Sequence, residues 1–272
     1  MDTVKVLQEI ELKMILIPGG TFLMGSSEIT HESHRRSMIY YRLYGTFLMG
    51  SSEITHEGPQ HEVTVSPFLM GRYPVTQAQW RAVASLPEVK FDLNPDPSYF
   101  DGNNRPVEQV NWYEAIEFCA RLSAHTDQIY TLPSEAQWEY ACRANTVTAF
   151  YFGETITTDL ANYDGTYTYY GDEILGIYRN ETTDVASFPS NDFGLYDMHG
   201  NVSEWCLDHW HYGYNDAPVD GSAWVTGGNS SYRRLRGGSW DNYSWDCRCA
   251  ARSYENPNDR KPFIGFRVVS VL

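Results

Sequence analysis

Sulfur is the softest donor a protein chain offers, and this one carries five cysteines: Cys119, Cys142, Cys206, Cys247 and Cys249. Only one residue separates Cys247 from Cys249. On an extended strand the side chains at i and i+2 face the same way, but their Cα atoms lie about 7 Å apart, too far for a direct disulfide. Two thiolates so placed could hold a soft ion such as copper(I). The odd count and irregular spacing do not spell a disulfide framework; they suit a reducing compartment, so a cytoplasmic location is expected. The eight histidines form no His-Glu-x-x-His motif, and His209 and His211 in DHWHYGY come nearest to a ligand pair. A P-loop, a GxGxxG turn after a strand and a GxSxG elbow are all missing. Spacing alone therefore nominates no catalytic residue.

Composition narrows the partners. Of 272 residues 42% are hydrophobic and 20% charged, enough apolar material for a sizeable core. Aromatics reach 15%, with 20 Tyr and 8 Trp, and such rings serve irregular cores and binding surfaces alike. A formal net charge of −15 repels phosphate backbones, so nucleic acid is not an expected partner. Neither a basic start followed by an apolar run nor a stretch of 18 apolar residues occurs, so no membrane partner is expected.

Three helices are marked by their caps. Thr76-x-x-Gln79, Asn111-x-x-Glu114 and Ser134-x-x-Gln137 each read as a capping box, opening VTQAQWRAVASL, NWYEAIEFCARLSAHT and SEAQWEYACRA. In the second, Trp112, Ala115, Ile116, Cys119 and Leu122 form the stripe of a helix laid on a core. Cys119 and Cys142 accordingly read as small buried hydrophobes. From about Asn145 onward the helical period gives way to Gly, Asn, Asp, Ser and Tyr with short apolar runs, the pattern of loop-rich β structure. One segment, GTFLMGSSEITHE, occurs twice, at Gly20–Glu32 and Gly45–Glu57. Two copies do not make a solenoid. Only one can fill the strand that MILIPGGTFLMG specifies, so about residues 33–57 should form a surface excursion.

Seven segments stand in order: IPGGTFLMG, HEVTVSPFLMGRYPVTQAQW, RPVEQVNWYEAIEFCARLS, YTLPSEAQWEYACRA, FGLYDMHGNVSEW, LRGGSW, and RCAARS with a closing IGFRVV. Together they resemble the formylglycine-generating enzyme, or sulfatase-modifying factor, family. That resemblance implies an α+β fold of C-type-lectin-like type, loop-rich with short sheets and a few short helices, and a single domain over residues 1–272. Trp138 and Tyr140 would anchor the third helix, and Gly237 and Gly238 would permit a close backbone approach.

Enzymes of the family use a pair of cysteines between GGS and CAAR to hold copper and activate oxygen. Here that stretch reads WDNYSWDCR, with Cys247 alone inside it and Cys249 at the structural RCAAR position. Copper is therefore not expected, and a non-catalytic binding protein is the leading expectation, with a metal- and oxygen-dependent oxidoreductase as the alternative. The C-terminal stretch is also similar to the variable region of proteins diversified by retroelements, which use this same fold. By position it nominates Asp241, Asn242, Tyr243, Trp245, Asp246, Ser253, Tyr254, Lys261, Pro262 and Phe263 as a face for an unidentified protein or small ligand. Tyr and Trp amid small polar residues make a paratope-like mixture on physical grounds as well. The resemblance further implies a structural calcium ion in DMHGNVSEW, held by Asp197, Glu204 and the carbonyls of Gly200 and Val202. The family's other calcium loop is half matched: Asn162 and Tyr163 fit, Ile177 and Arg179 do not.

Overall fold

A computed structural model describes residues 10–26, 56–168 and 175–272. Its strands are short. β1 (Met14–Ile17), β4 (Phe68–Gly71), β10 (Val269–Val271) and β5 (Tyr130–Thr131) form one antiparallel sheet in the order β1-β4-β10-β5. β2 (Gly20–Met24) and β3 (His61–Val65) make a separate antiparallel pair. In the third sheet, β8 (Arg252–Glu255), β7 (Asn229–Arg236) and β6 (Ser203–Trp210) are antiparallel neighbours, and β9 (Ile264–Gly265) lies parallel to β6. With the helices at Gln77–Ala84, Trp112–Thr126 and Glu135–Arg143 packed among these sheets, the fold is α+β and C-type-lectin-like.

The three helices form where their caps place them: α1 Gln77–Ala84, α2 Trp112–Thr126 and α3 Glu135–Arg143. All three capping boxes close, each cap oxygen accepting the N–H three residues on while the Gln or Glu there returns a bond. Each such cap is worth about 1 kcal/mol. Helix α2 turns Ala115, Cys119 and Leu122 inward, where Trp80 stacks on Phe118 at 5.6 Å and Phe266 meets both rings edge-on. Trp138 and Tyr140 of α3 are buried in a second core cluster with Val63, Met70 and Cys206.

Helix α3 is also fixed by charge. Glu135 accepts from Arg252 at 2.7 Å and forms an ion pair with Arg234 at 3.2 Å, while Glu139 pairs with Arg236 and, at 2.9 Å, with Arg143. Burial pushes the Glu135 carboxyl up, but the guanidinium groups of Arg234, Arg252 and Arg236 outweigh it and hold the group below the usual carboxylate range.

The first copy of the duplicated segment supplies the strand: Gly20–Met24 pairs with His61–Val65. The second copy supplies the return. Ser26 N donates to Glu57 O at 3.0 Å, and Glu57 takes both terminal nitrogens of Arg248, at 2.6 and 2.8 Å. Of the expected excursion over residues 33–57, all but His56 and Glu57 lie outside the described residues.

Candidate functional site

The chain leaves β7 through Gly237 and Gly238, both in the left-handed region at φ +93° and +66°. Glycine is required there. A Cβ at Gly237 would sit 2.9 Å from the Trp138 ring, and one at Gly238 would sit 2.5 Å from Cys247 Sγ. The segment that follows is thereby drawn tightly over α3. Ser239 Oγ donates to Asn242 Oδ1 at 2.7 Å, and Ser244–Cys247 forms a single 3₁₀ turn. Around this frame the rings gather. Tyr243 lies 4.6 Å from Trp245, and Tyr167 meets Tyr243 edge-on at 4.9 Å. Tyr178 stacks over Trp240 at 6.1 Å and donates its hydroxyl to Asp241 Oδ1 at 2.5 Å. Burial and that carboxylate hold the Tyr178 phenol protonated, well above its usual range. Phe100 meets Trp240 edge-on at 5.5 Å, and Trp240 Nε1 donates to the Pro262 carbonyl at 3.0 Å.

Asp241, Asn242, Tyr243, Trp245 and Pro262 are thus brought together, with Asp246 exposed on the same turn and Lys261 adjoining Pro262. Three contributors, Phe100, Tyr167 and Tyr178, escape sequence reading because distant loops supply them; Tyr178 is 63 residues from Asp241. Three other residues of the expected face have surroundings of their own. Ser253 and Tyr254 lie on β8 in a different aromatic group, where Tyr254 contacts Trp210 at 4.1 Å and Tyr232 at 5.1 Å. Phe263 turns its ring onto the main core.

In the loop before β6, Asp197 is buried. Its Oδ2 accepts Ala186 N at 2.8 Å, whereas Oδ1 has no hydrogen-bond partner, and burial pushes its pKa up to about 6. Glu204 is fully buried: Oε2 accepts Arg267 Nε at 2.6 Å and Trp138 Nε1 at 2.8 Å, while Oε1 accepts only Arg267 Nη2, at 2.7 Å. A carboxylate oxygen has two lone pairs, so one direction on Oε1 stays open.

The two C-terminal cysteines do not act as a pair, contrary to one reading of their spacing. Cys247 packs with Phe150, Ile156, Ala161 and Tyr163, whereas Cys249 points into the second core cluster beside Cys142. There Cys142 Sγ lies 3.6 Å from Cys249 Sγ and 4.0 Å from His199 Nδ1. Burial and the adjacent Cys249 push the Cys142 thiol up; Cys249, despite its burial, is lowered by hydrogen bonds from Cys142 and His199. Among the described residues this is the one group of three or more such side chains whose ligand atoms converge, all within 4.8 Å of one another. Cys142 is buried, as its helical position implies. His209 and His211 form no such group, and His211 instead stacks on Trp224 at 3.5 Å.

A family profile described as "Sulfatase-modifying factor enzyme 1-like domain" matches residues 4–272. The chain belongs to the sulfatase-modifying factor enzyme 1-like family. Serine/threonine-protein kinase pkn1 of Chlamydia caviae is 29% identical over 282 residues, covering 96% of this chain and 38% of the kinase. The chain spans between 34% and 38% of the length of three chlamydial relatives of that name. Among solved structures it is similar to PvdO from Pseudomonas aeruginosa, at 32% identity and TM-score 0.73, covering 95% of this chain and 94% of that one. Treponema denticola variable protein 1 shares the fold at TM-score 0.70 and 23% identity, covering 96% of this chain and 95% of that one. The sulfatase-modifying factor frame thus includes the scaffold motifs read from the sequence, LPSEAQWEYA, GNVSEW and RGGSW, each seated in the fold around Trp138.

Proposed function

We propose that this chain is a non-catalytic, ligand-binding member of its family, presenting the turn from Asp241 to Asp246 with its flanking rings to a protein or small ligand. The observation that carries this reading is the cluster of Tyr243, Trp245, Tyr167 and Tyr178 amid Asp241 and Asn242, held on a frame fixed by Gly237, Gly238 and Trp138. Rigid aromatic rings beside adaptable polar groups give contact area at low entropic cost. Where the resemblance puts two thiols, this segment offers Asp, Asn, Tyr, Ser and Trp, whose oxygen and nitrogen groups hold copper(I) poorly. The shared fold of the Treponema variable protein is compatible with a face whose residues are exchanged to retarget binding.

Two measurements test the reading. A Cys-x-Pro-x-Arg peptide incubated with the chain, copper and oxygen should yield no aldehyde; turnover would establish the oxidoreductase alternative. Wild-type chain and a Tyr243→Ala/Trp245→Ala variant, immobilised side by side, should differ on exposure to the same cell extract. A partner held by the first should be lost from the second, at a cost on the order of 2 kcal/mol or more, while both melt alike. Equal retention would move the binding surface elsewhere.

A structural calcium ion belongs to the same proposal. Asp197 Oδ1 has no hydrogen-bond partner and Glu204 Oε1 keeps one open direction, which supports two hard oxygen ligands, and the carbonyls of Gly200 and Val202 would complete the set. The ion would pin the loop between Asp197 and β6 and supply no chemistry. Chelation should lower the melting temperature and added calcium restore it; a melting curve indifferent to both would remove the ion from the account.

A further inference from the structure

We propose that Cys142, His199 and Cys249 form a structural zinc site, which shares the loop of the calcium proposal through His199 but none of its ligands. Zinc–sulfur bonds of about 2.3 Å in tetrahedral geometry set neighbouring sulfurs about 3.8 Å apart. The two sulfurs lie 3.6 Å apart, close to that value; the 4.0 Å from Cys142 Sγ to His199 Nδ1 is a few tenths of an ångström longer than the roughly 3.6 Å that a zinc–nitrogen bond of about 2.1 Å would set, and the Met198 carbonyl oxygen borders the same space 3.8 Å from Cys142 Sγ. Charge also favours a divalent ion, because two thiolates and a neutral imidazole around Zn²⁺ sum to zero, and a buried site tolerates little else.

His199 is the weakest ligand. Its Nδ1–H donates to the Cys247 carbonyl at 2.7 Å, and its Nε2 accepts the Tyr151 N–H at 3.1 Å. As zinc binds, two thiol protons leave to solvent and the imidazole proton moves from Nδ1 to Nε2, so both bonds are surrendered and the turn at Tyr151 must shift. The ion would tie three segments together: the last turn of α3, the loop before β6, and the stretch by which the chain leaves the Asp241–Asp246 turn.

The full chain, reduced and dialysed against zinc, should retain one zinc by elemental analysis. Cobalt(II) in its place should show sulfur charge-transfer bands. Both signals should vanish in Cys142→Ser and Cys249→Ser and weaken less in His199→Gln. Because a core cysteine variant can misfold, X-ray absorption on the wild-type zinc protein supplies the second readout, and two sulfur ligands are expected. Failure of the folded, reduced chain to retain zinc would overturn the assignment. So would zinc bound without sulfur, which would point to an oxygen site such as the Asp197 loop, or a freshly isolated chain two hydrogens light through a Cys142–Cys249 disulfide.

Discussion

Glu108 is a carboxylic acid in a place that favours its proton. Its side chain is fully buried, Oε1 accepts Phe100 N at 2.9 Å, and Oε2 has no partner. Burial raises its pKa from 4.5 to about 7 against the pull of that bond. A folded-state pKa above the unfolded value means that the folded chain binds the extra proton, so stability falls as pH rises between about 4.5 and 7 and stays low above. Glu108→Gln keeps the shape and removes the titration. It should match wild type below pH 4.5 and exceed it at pH 8 by about 2 kcal/mol, allowing for partial solvent screening. Parallel denaturant titrations at both values check this, and a variant weaker than wild type at pH 8 would show that the ionised carboxylate has a partner. Glu108 accepts the Phe100 N–H, and Phe100 packs on Trp240, so the same titration should be felt at the base of the proposed binding face.

Among the elements, the duplicated segment makes the clearest case. The fold uses Gly20–Ser26 from one copy and His56–Glu57 from the other, and because the copies are identical, removing one leaves the same composite. Deleting Ser33–Glu57 joins Glu32 to Gly58, placing a glutamate where Arg248 requires one. Stability should change by less than about 1 kcal/mol, since loop length enters closure only logarithmically; a large drop in melting temperature would mean that the excursion packs on the core. The sequence makes such elements legible where the signal is local. Each helix start is set by a cap and a residue three positions on, so Thr76, Asn111 and Ser134 could be read directly. The proposed binding face was legible only in part. Between Trp245 and Ser253 the chain dives through Cys247–Ala251, all buried, and re-emerges on β8, where Tyr254 packs with Trp210 and Tyr232, contacts that its position in the sequence does not encode. Convergence of Cys142 on Cys249 spans 107 residues, and no local period encodes it.

At the scale of the whole molecule, short strands and long loops leave little regular ladder, and buried ion pairs join segments distant in sequence. Arg267 is a well-connected case. Its guanidinium donates twice to Glu204, at 2.6 and 2.7 Å, and to the carbonyls of Gly71 and Tyr196. It thereby links the C-terminal segment to β4, to the Asp197 loop and to β6. Taking two charges out of water is costly, and the pair recovers that cost only when complete. Arg267→Met alone should therefore destabilise by about 3–5 kcal/mol, because Glu204 is left as an unpaired buried anion whose one remaining donor is Trp138 Nε1. Adding Glu204→Gln removes that anion while keeping an oxygen for the indole. The double variant should recover much of the loss, giving an interaction energy of up to about 3 kcal/mol in a double-mutant cycle. If the two losses simply add, the link is the carbonyl contacts of Arg267 and the ion pair contributes nothing. Calcium makes the cycle sharper. An ion at Asp197 and Glu204 would itself neutralise Glu204, so Arg267→Met should cost less in calcium than in chelator, whereas equal costs would place any bound ion away from Glu204.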